Sequence, residues 1–242
     1  TYDIYKEFPT TVWQHRGTAP ALMFRDTIDV CDATIGYRVE LSDASGCKNV
    51  SRIMSGQFSD MIPPAITSLD SVSVDINSGQ IILGWSASQS SDAVAYIIYY
   101  DDDNLWIPLD TLYGIHNTFW IDTLHNPVSA THRYRIAVLD SCWNSSPMST
   151  AQRTMQLSST YDRCSRQAFL TWTPYENMRG NLEKYEIYFS INEGPILYDG
   201  YSDASVRSYT FENLIPENDY CFFVKAVNQT GNITASSTES CF

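Results

Sequence analysis

No run of eighteen apolar residues occurs in the 242-residue chain, so no transmembrane helix is expected. A charged start followed by an apolar stretch is also missing, which predicts that no secretory leader lies within it. Basic residues are scarce, with 15 lysines and arginines against 28 aspartates and glutamates and a formal net charge of −13. Acidic residues outnumber basic ones in residues 1–62, 63–155 and 156–242 alike, so no basic patch or stripe forms. Nucleic acid and an anionic membrane surface are thereby set aside as partners, and membrane insertion is set aside by the missing apolar run. The plain consequence of the acidity is a soluble monomer. Catalytic signatures are lacking too: there is no Gly-x-Ser-x-Gly elbow, no phosphate-cradling glycine loop and no His-Glu-x-x-His. The four histidines, His15, His116, His125 and His132, have no metal-ligand spacing and read as surface or strand-edge residues. No cofactor and no enzymatic activity are expected. No helical period is sustained long enough to compete with strands.

What is present is a phrase used three times: Tyr2-Asp-Ile-Tyr5, Tyr96-Ile-Ile-Tyr99 and Tyr185-Glu-Ile-Tyr188. A second tyrosine, Tyr37, Tyr134 or Tyr220, follows each copy by 35, 38 and 35 residues and opens an alternating apolar run. The copies stand 94 and 89 residues apart, so the repeating unit is sandwich-sized. Sixteen tyrosines and six tryptophans suit β-rich structure. The reading is three units: a partial one at 1–62 and complete ones at 63–155 and 156–242.

The first unit opens on the repeat's third strand, and no tryptophan precedes the phrase. Trp85 and Trp172 precede the other two copies by 11 and 13 residues. Residues 1–62 are therefore expected to lack their first two strands and to retain strands over 11–15, 21–28, 36–41 and 51–58. In the second unit Asp101-Asp-Asp-Asn104 reads as a loop. Calcium there is disfavoured, because consecutive side chains on a loop splay apart instead of converging. Asn49, Asn144, Asn228 and Asn232 begin Asn-x-Ser/Thr sequons.

Tryptophan in the second strand, Tyr-x-Ile-Tyr in the third and Leu214-x5-Tyr220-x-Phe-x-Val-x-Ala226 in the sixth resemble fibronectin type III domains over nearly the whole chain. The resemblance implies an all-β fold of tandem immunoglobulin-like sandwiches set end to end. It implies Trp85 and Trp172 in the cores, and Tyr37, Tyr134 and Tyr220 as tyrosine-corner residues bonding backbone upstream. Asp140-Ser-Cys142-Trp-Asn-Ser-Ser-Pro147, Cys164 and the Cys221 to Cys241 span further resemble the repeats of gliding-motility-associated, type IX-secreted surface proteins of Bacteroidetes.

Six cysteines without C-x-x-C pairs suggest disulfides, and so an exported or cell-surface setting. On the resembling fold, Cys221 and Cys241 lie across a hairpin folded about Gly231. Cys31 and Cys47 would lie at opposite ends of a strand, roughly 26 Å apart, beyond the ~7 Å limit for a bridge. Cys31 with Cys142 is the favoured second pair. The rival set, Cys31 with Cys47 and Cys142 with Cys164, stays open.

Trp106, Tyr113, Trp120 and Trp143 fall outside the core pattern. They serve either as anchors for a protein or glycan partner or as cover for domain junctions. The functional expectation is an extracellular or cell-surface spacer or adhesion module, joined to neighbouring domains of a longer chain. A ligand-binding receptor ectodomain, or an accessory region of a secreted carbohydrate-active enzyme, is the alternative.

Overall fold

The computed structural model describes residues 1–242 and contains strands and turns without α-helix. Two compact units are present. One is Thr1–Ile62 with Ser141–Asn144, and the other is Pro63–Asp140 with Ser145–Phe242.

The first unit is a single antiparallel sheet. It contains β1 (Tyr2–Glu7), β2 (Trp13–Ala19), β3 (Asp32–Ser42), β4 (Lys48–Val50) and β5 (Met54–Ser59), with the order β2-β1-β3-β4 and β5 also paired to β3. Residues 21–28, expected as a strand, are not one: 21–22 form a bend and 23–28 have no regular structure. The physical reason is the lack of a partner, because a strand is defined by the ladder it joins.

The second unit holds two sandwiches. In the first of these, β6 (Leu69–Val74), β7 (Ile81–Trp85) and β10 (Phe119–Asp122) form one sheet. Its other sheet contains β8 (Ala93–Asp102), β9 (Leu105–Tyr113), β11 (Arg133–Asp140) and β12 (Gln152–Arg153). The last sandwich repeats the plan. Here β13 (Leu157–Asp162), β14 (Gln167–Trp172) and β17 (Ser208–Phe211) face β15 (Leu182–Ile191), β16 (Leu197–Asp203), β18 (Tyr220–Asn228), β19 (Thr234–Ser236) and β20 (Ser240–Cys241). The expected all-β tandem sandwich fold is the observed one.

Why the phrase recurs is visible in the register. β1, β8 and β15 carry its three copies, and each pairs with a neighbour that slips between the isoleucine and the second tyrosine. A bulge at one position in all three repeats re-aims the outer side chains and increases the local twist. Within the phrase, alternate residues face the core: Tyr96, Ile98, Tyr185 and Ile187 are fully buried. Trp85 meets Tyr96 edge to face at 5.3 Å, and Trp172 meets Tyr185 in the same way at 5.4 Å. Both indole N–H groups are buried without an acceptor. Packing alone holds these rings.

The pairing of the second tyrosine differs between the two sandwiches. Tyr134 stands opposite Tyr100, whereas Tyr220 stands opposite Ile191, further along the phrase-bearing strand. A displacement by an even number of residues keeps every side chain on its own face, so the core survives the slip.

Asp101 to Asn104 is a tight hairpin and not an open loop: Asp102 pairs with Leu105 across Asp103 and Asn104, at φ 51° and 71°. Two successive left-handed residues match the strand twist, and Asp-Asn supplies them cheaply. Asp101 is held by Arg133 at 2.7 Å.

The two cores of the second unit are distinct, one built around Trp85 and Tyr134 and one around Trp172 and Tyr220. The expected boundary at 155/156 falls inside a buried crossing segment. Ala151, Gln152, Thr154, Met155 and Leu157 are all buried, and Met155 bridges to Ser237. This junction is a largely buried crossing, tied by an isolated bridge, and not an exposed tether.

Candidate functional site

Three kinds of feature stand where a function could reside: the corner networks, the outward aromatic faces and the cross-links. The corner begins with a carboxylate at the end of a strand. Asp122, at the end of β10, is 1% exposed and accepts the Tyr134 hydroxyl and His125 Nδ1, both at 2.7 Å. Its other oxygen accepts the backbone N–H of Leu124 and His125. Tyr100 stacks on His125 at 3.9 Å, and its hydroxyl lies 3.1 Å from His132 Nδ1. His132 Nε2 reaches the Asn126 carbonyl at 2.9 Å.

Burial pushes the Asp122 carboxyl up, but the bonds from Tyr134, His125 and the two backbone groups together hold it below its ordinary 3.8. Burial, and then the bond to Asp122, push the Tyr134 phenol up. His125 and His132, expected apart on the surface, thus lie 5.2 Å apart in one network, and His132 is 6% exposed. A signal for this existed: His132 shares strand parity with Tyr134, Ile136 and Val138.

Each repeat builds this corner differently. In the first, Tyr37 donates to Asp26 at 2.7 Å, and Lys6 and Arg16 flank that carboxylate at 3.7 and 3.0 Å. Burial, then Asp26, raise the Tyr37 phenol to about 12. In the last, the buried Phe211 ends β17 where Asp122 ends β10, and the Tyr220 hydroxyl accepts the Ile215 N–H at 3.0 Å. The expectation that all three hydroxyls bond upstream backbone is therefore corrected for Tyr37 and Tyr134. In the first two corners the phenol donates to a carboxylate, whereas in the last, where Phe211 stands in that place, the phenol oxygen accepts a backbone N–H. Tyr37 is also only half-buried and so is not the core residue expected, since no second sheet covers it.

The exposed aromatics do not form one patch. Trp106 is half-buried under Arg135, whose guanidinium lies 4.3 Å from the ring. Trp120 packs against the core of its sandwich and donates Nε1–H to Asp110 at 2.9 Å, which corrects its reading as a free contact residue. Tyr113 and Trp143 are exposed, at 56% and 68%. Trp143 adopts φ 69°, unusual for so bulky a residue, between bridged Cys142 and Asn144, whose amide bonds the Asp60 carbonyl. The cation-on-ring arrangement recurs on the outward faces: Arg38 lies 4.3 Å from Trp13, and Lys225 lies 4.8 Å from Tyr188.

Cys31 and Cys142 are bridged within the first unit, across 111 residues of sequence. Cys221 and Cys241 are bridged across the β18–β20 ladder, where they are register partners. Cys47 and Cys164 are exposed free thiols, so the rival pairing does not occur. Of the sequons, Asn228 is 2% exposed and committed to a turn, which removes it as a glycan acceptor in the folded chain.

Sequence reasoning also missed the junction of the two large sandwiches. Tyr175, 6% exposed, accepts the Val72 N–H and donates to Gln152 Oε1, both at 2.7 Å. The Gln152 amide donates to the Leu69 and Asn177 carbonyls at 2.8 and 2.9 Å. Arg179 adds an ion pair to Asp70 at 2.6 Å.

Residues 152–241 match the family model described as fibronectin type III domain. Among solved structures, a crystal structure of chicken CNTN1 FN1–FN3 domains aligns with 100% of this chain and 90% of its own, at 15% identity and a TM-score of 0.33. A central fibronectin-III array of RIM-binding protein aligns with 73% of this chain and 68% of its own, at 14% identity and a TM-score of 0.32. No curated protein matches the chain, and nothing found supports the narrower resemblance to gliding-motility surface proteins.

Proposed function

We propose that the chain is a non-enzymatic spacer or adhesion segment of an exported protein, in which fibronectin-type sandwiches are locked to one another and present outward aromatic faces to a protein or glycan. The observation that carries this reading is the junction in the second unit. A spacer must resist bending where its modules join, and here the crossing segment is largely buried and fastened by Gln152, Tyr175 and Arg179. Flexible linkers expose their backbone and carry no such contacts. The Cys31–Cys142 and Cys221–Cys241 bridges support an oxidising compartment. The corner network of Asp122, His125, Tyr134 and Tyr100 supports a structural role for the clustered ionisable groups, because each already has its hydrogen-bond partners inside the fold.

Spin labels on the free Cys164 thiol and on Ser78→Cys, in a Cys47→Ser background, test the reading. A narrow label–label distance distribution is the expected result. A broad one would make the junction a hinge and remove the spacer function.

A further inference from the structure

In all three repeats the strand outside the phrase, β2, β9 or β16, lies at the edge of its sheet. Nothing of the repeat is missing there, because the same strand ends the sheet each time. An edge carries unpaired N–H and C=O groups along its free side, and proteins guard it with proline, cations or a covering segment. β9 contains Pro108. On β2, Arg16 is tied to Asp26, and the Phe24 ring lies so near that a Cβ on Gly17 would stand 3.2 Å from it. β16 has none of these guards. It pairs with β15 alone, Leu197–Asp203 contains no proline, and residues 191–206 hold Glu193, Asp199 and Asp203 without a lysine or arginine.

The side chains beside this edge are apolar and open. Tyr185 and Ile187 are buried, so Glu186 and Tyr188 face outward, and their partners are Tyr201 and Tyr198. The register shift at Asp199 turns these two tyrosines, three residues apart, to one face, where they are 59% and 52% exposed. The other repeats cover this place with an arginine of their own. Arg38 and Arg135 stand opposite the second tyrosine of the phrase, and each guanidinium lies 4.3 Å from a tryptophan on the edge strand, Trp13 or Trp106. In the last repeat Phe223 holds the arginine's position and stacks on Tyr188 at 5.2 Å. Lys184 lies over Tyr201 and Lys225 over Tyr188, but no cation lies over Tyr198.

We infer that the β16 edge is a docking site for an arginine-bearing strand of a protein partner. The strand adds to the sheet beside Leu197–Asp203 and sets a guanidinium on the Tyr198 ring, as Arg38 and Arg135 do on theirs. Charge selects this occupant. A second copy would set one acidic edge against another, with −13 on each chain. A glycan would stack on the tyrosines and leave the row of N–H and C=O groups unmade. Resting on the adhesion role proposed above, this docking gives the partner its class, whereas the spin-label distances report the junction alone.

Hydrogen–deuterium exchange on the 242-residue chain tests this, with a synthetic octapeptide of alternating arginine and valine as probe. At saturation, the amides of residues 197–203 that point away from β15 are expected to exchange at least about tenfold more slowly. Tyr198→Lys, which places the chain's own cation at the site, is expected to abolish that protection, with unchanged exchange in β18 as the control for folding. A peptide of alternating arginine and proline, equal in charge but unable to complete a ladder, is expected to leave the parent unchanged. Equal effects of the two peptides, no effect of either, or full protection in Tyr198→Lys would overturn the docking site. Protection of 197–203 that rises with chain concentration in the absence of peptide would also overturn it, by making a second copy the occupant. Lost docking with narrow label distances would remove this partner and leave the spacer.

Discussion

Among single residues, the corner tyrosines carry the sharpest contrast. Tyr134 is fully buried and donates to a buried carboxylate, whereas Tyr37 makes the same bond at a half-open site. Removing one partner of a buried charge-assisted bond costs about 1.5–3 kcal/mol, and an exposed site recovers part of that from water. Tyr134→Phe is therefore expected to lower the unfolding free energy by about 2 kcal/mol, and Tyr37→Phe by under about 1 kcal/mol. Urea titration of the two variants compares them. The carboxylate itself gives a pH signature. Because the Asp122 value is depressed on folding, its contribution is complete above the ordinary 3.8 and is lost as pH falls through the lower folded value. Asp26 and other depressed carboxylates share that direction, so the variant isolates Asp122. Between about pH 6 and about pH 2.5 the parent is expected to lose more stability than Asp122→Asn.

At the scale of elements, pairing decides what becomes a strand. Residues 119–122 and 208–211 are strands because β7 and β14 lie beside them, and residues 21–28 are not strands because nothing does. Composition could not tell these apart, since Met23-Phe-Arg-Asp26 is as apolar as a strand requires. The β18–β20 ladder is different. It is short, β20 being Ser240–Cys241 alone, and the bridge between Cys221 and Cys241 closes a span of 20 residues. Loop closure of that size is worth about 3 kcal/mol in the chain-entropy account. Cys221→Ala with Cys241→Ala is expected to lower stability by about that amount, with loss of amide protection confined first to residues 240–241. A denaturant midpoint and an exchange map on one sample check both parts.

At the scale of the molecule, the second unit is two cores fastened by a polar junction. Gln152 satisfies the Leu69 carbonyl and the Tyr175 hydroxyl, so Gln152→Ala strips buried groups of their partners on both sides at once. The parent is expected to melt its two large sandwiches in one calorimetric transition. Gln152→Ala is expected to divide that transition into two, whereas Gln229→Ala, at an exposed turn, leaves it whole. Non-reducing peptide mapping is expected to recover Cys31 linked to Cys142 and Cys221 linked to Cys241, with Cys47 and Cys164 alkylated. A Cys31–Cys47 peptide would contradict the fold of the first unit.

The sequence by itself determined the repeat and the core. Tyr-x-Ile-Tyr, the tryptophan upstream and the alternation after Tyr134 and Tyr220 are local patterns, and burial of alternate residues follows from strand geometry without knowledge of the partner strand. Even the buried side of His132 was written in its parity with Tyr134. What only the tertiary structure decided depends on residues far apart in the chain. Asp122 with Tyr134, Gln152 with Leu69 and Tyr175 with Val72 each meet because whole sheets pack, and no spacing rule encodes those meetings; Cys31 with Cys142, by contrast, was already the favoured pair on the resembling fold.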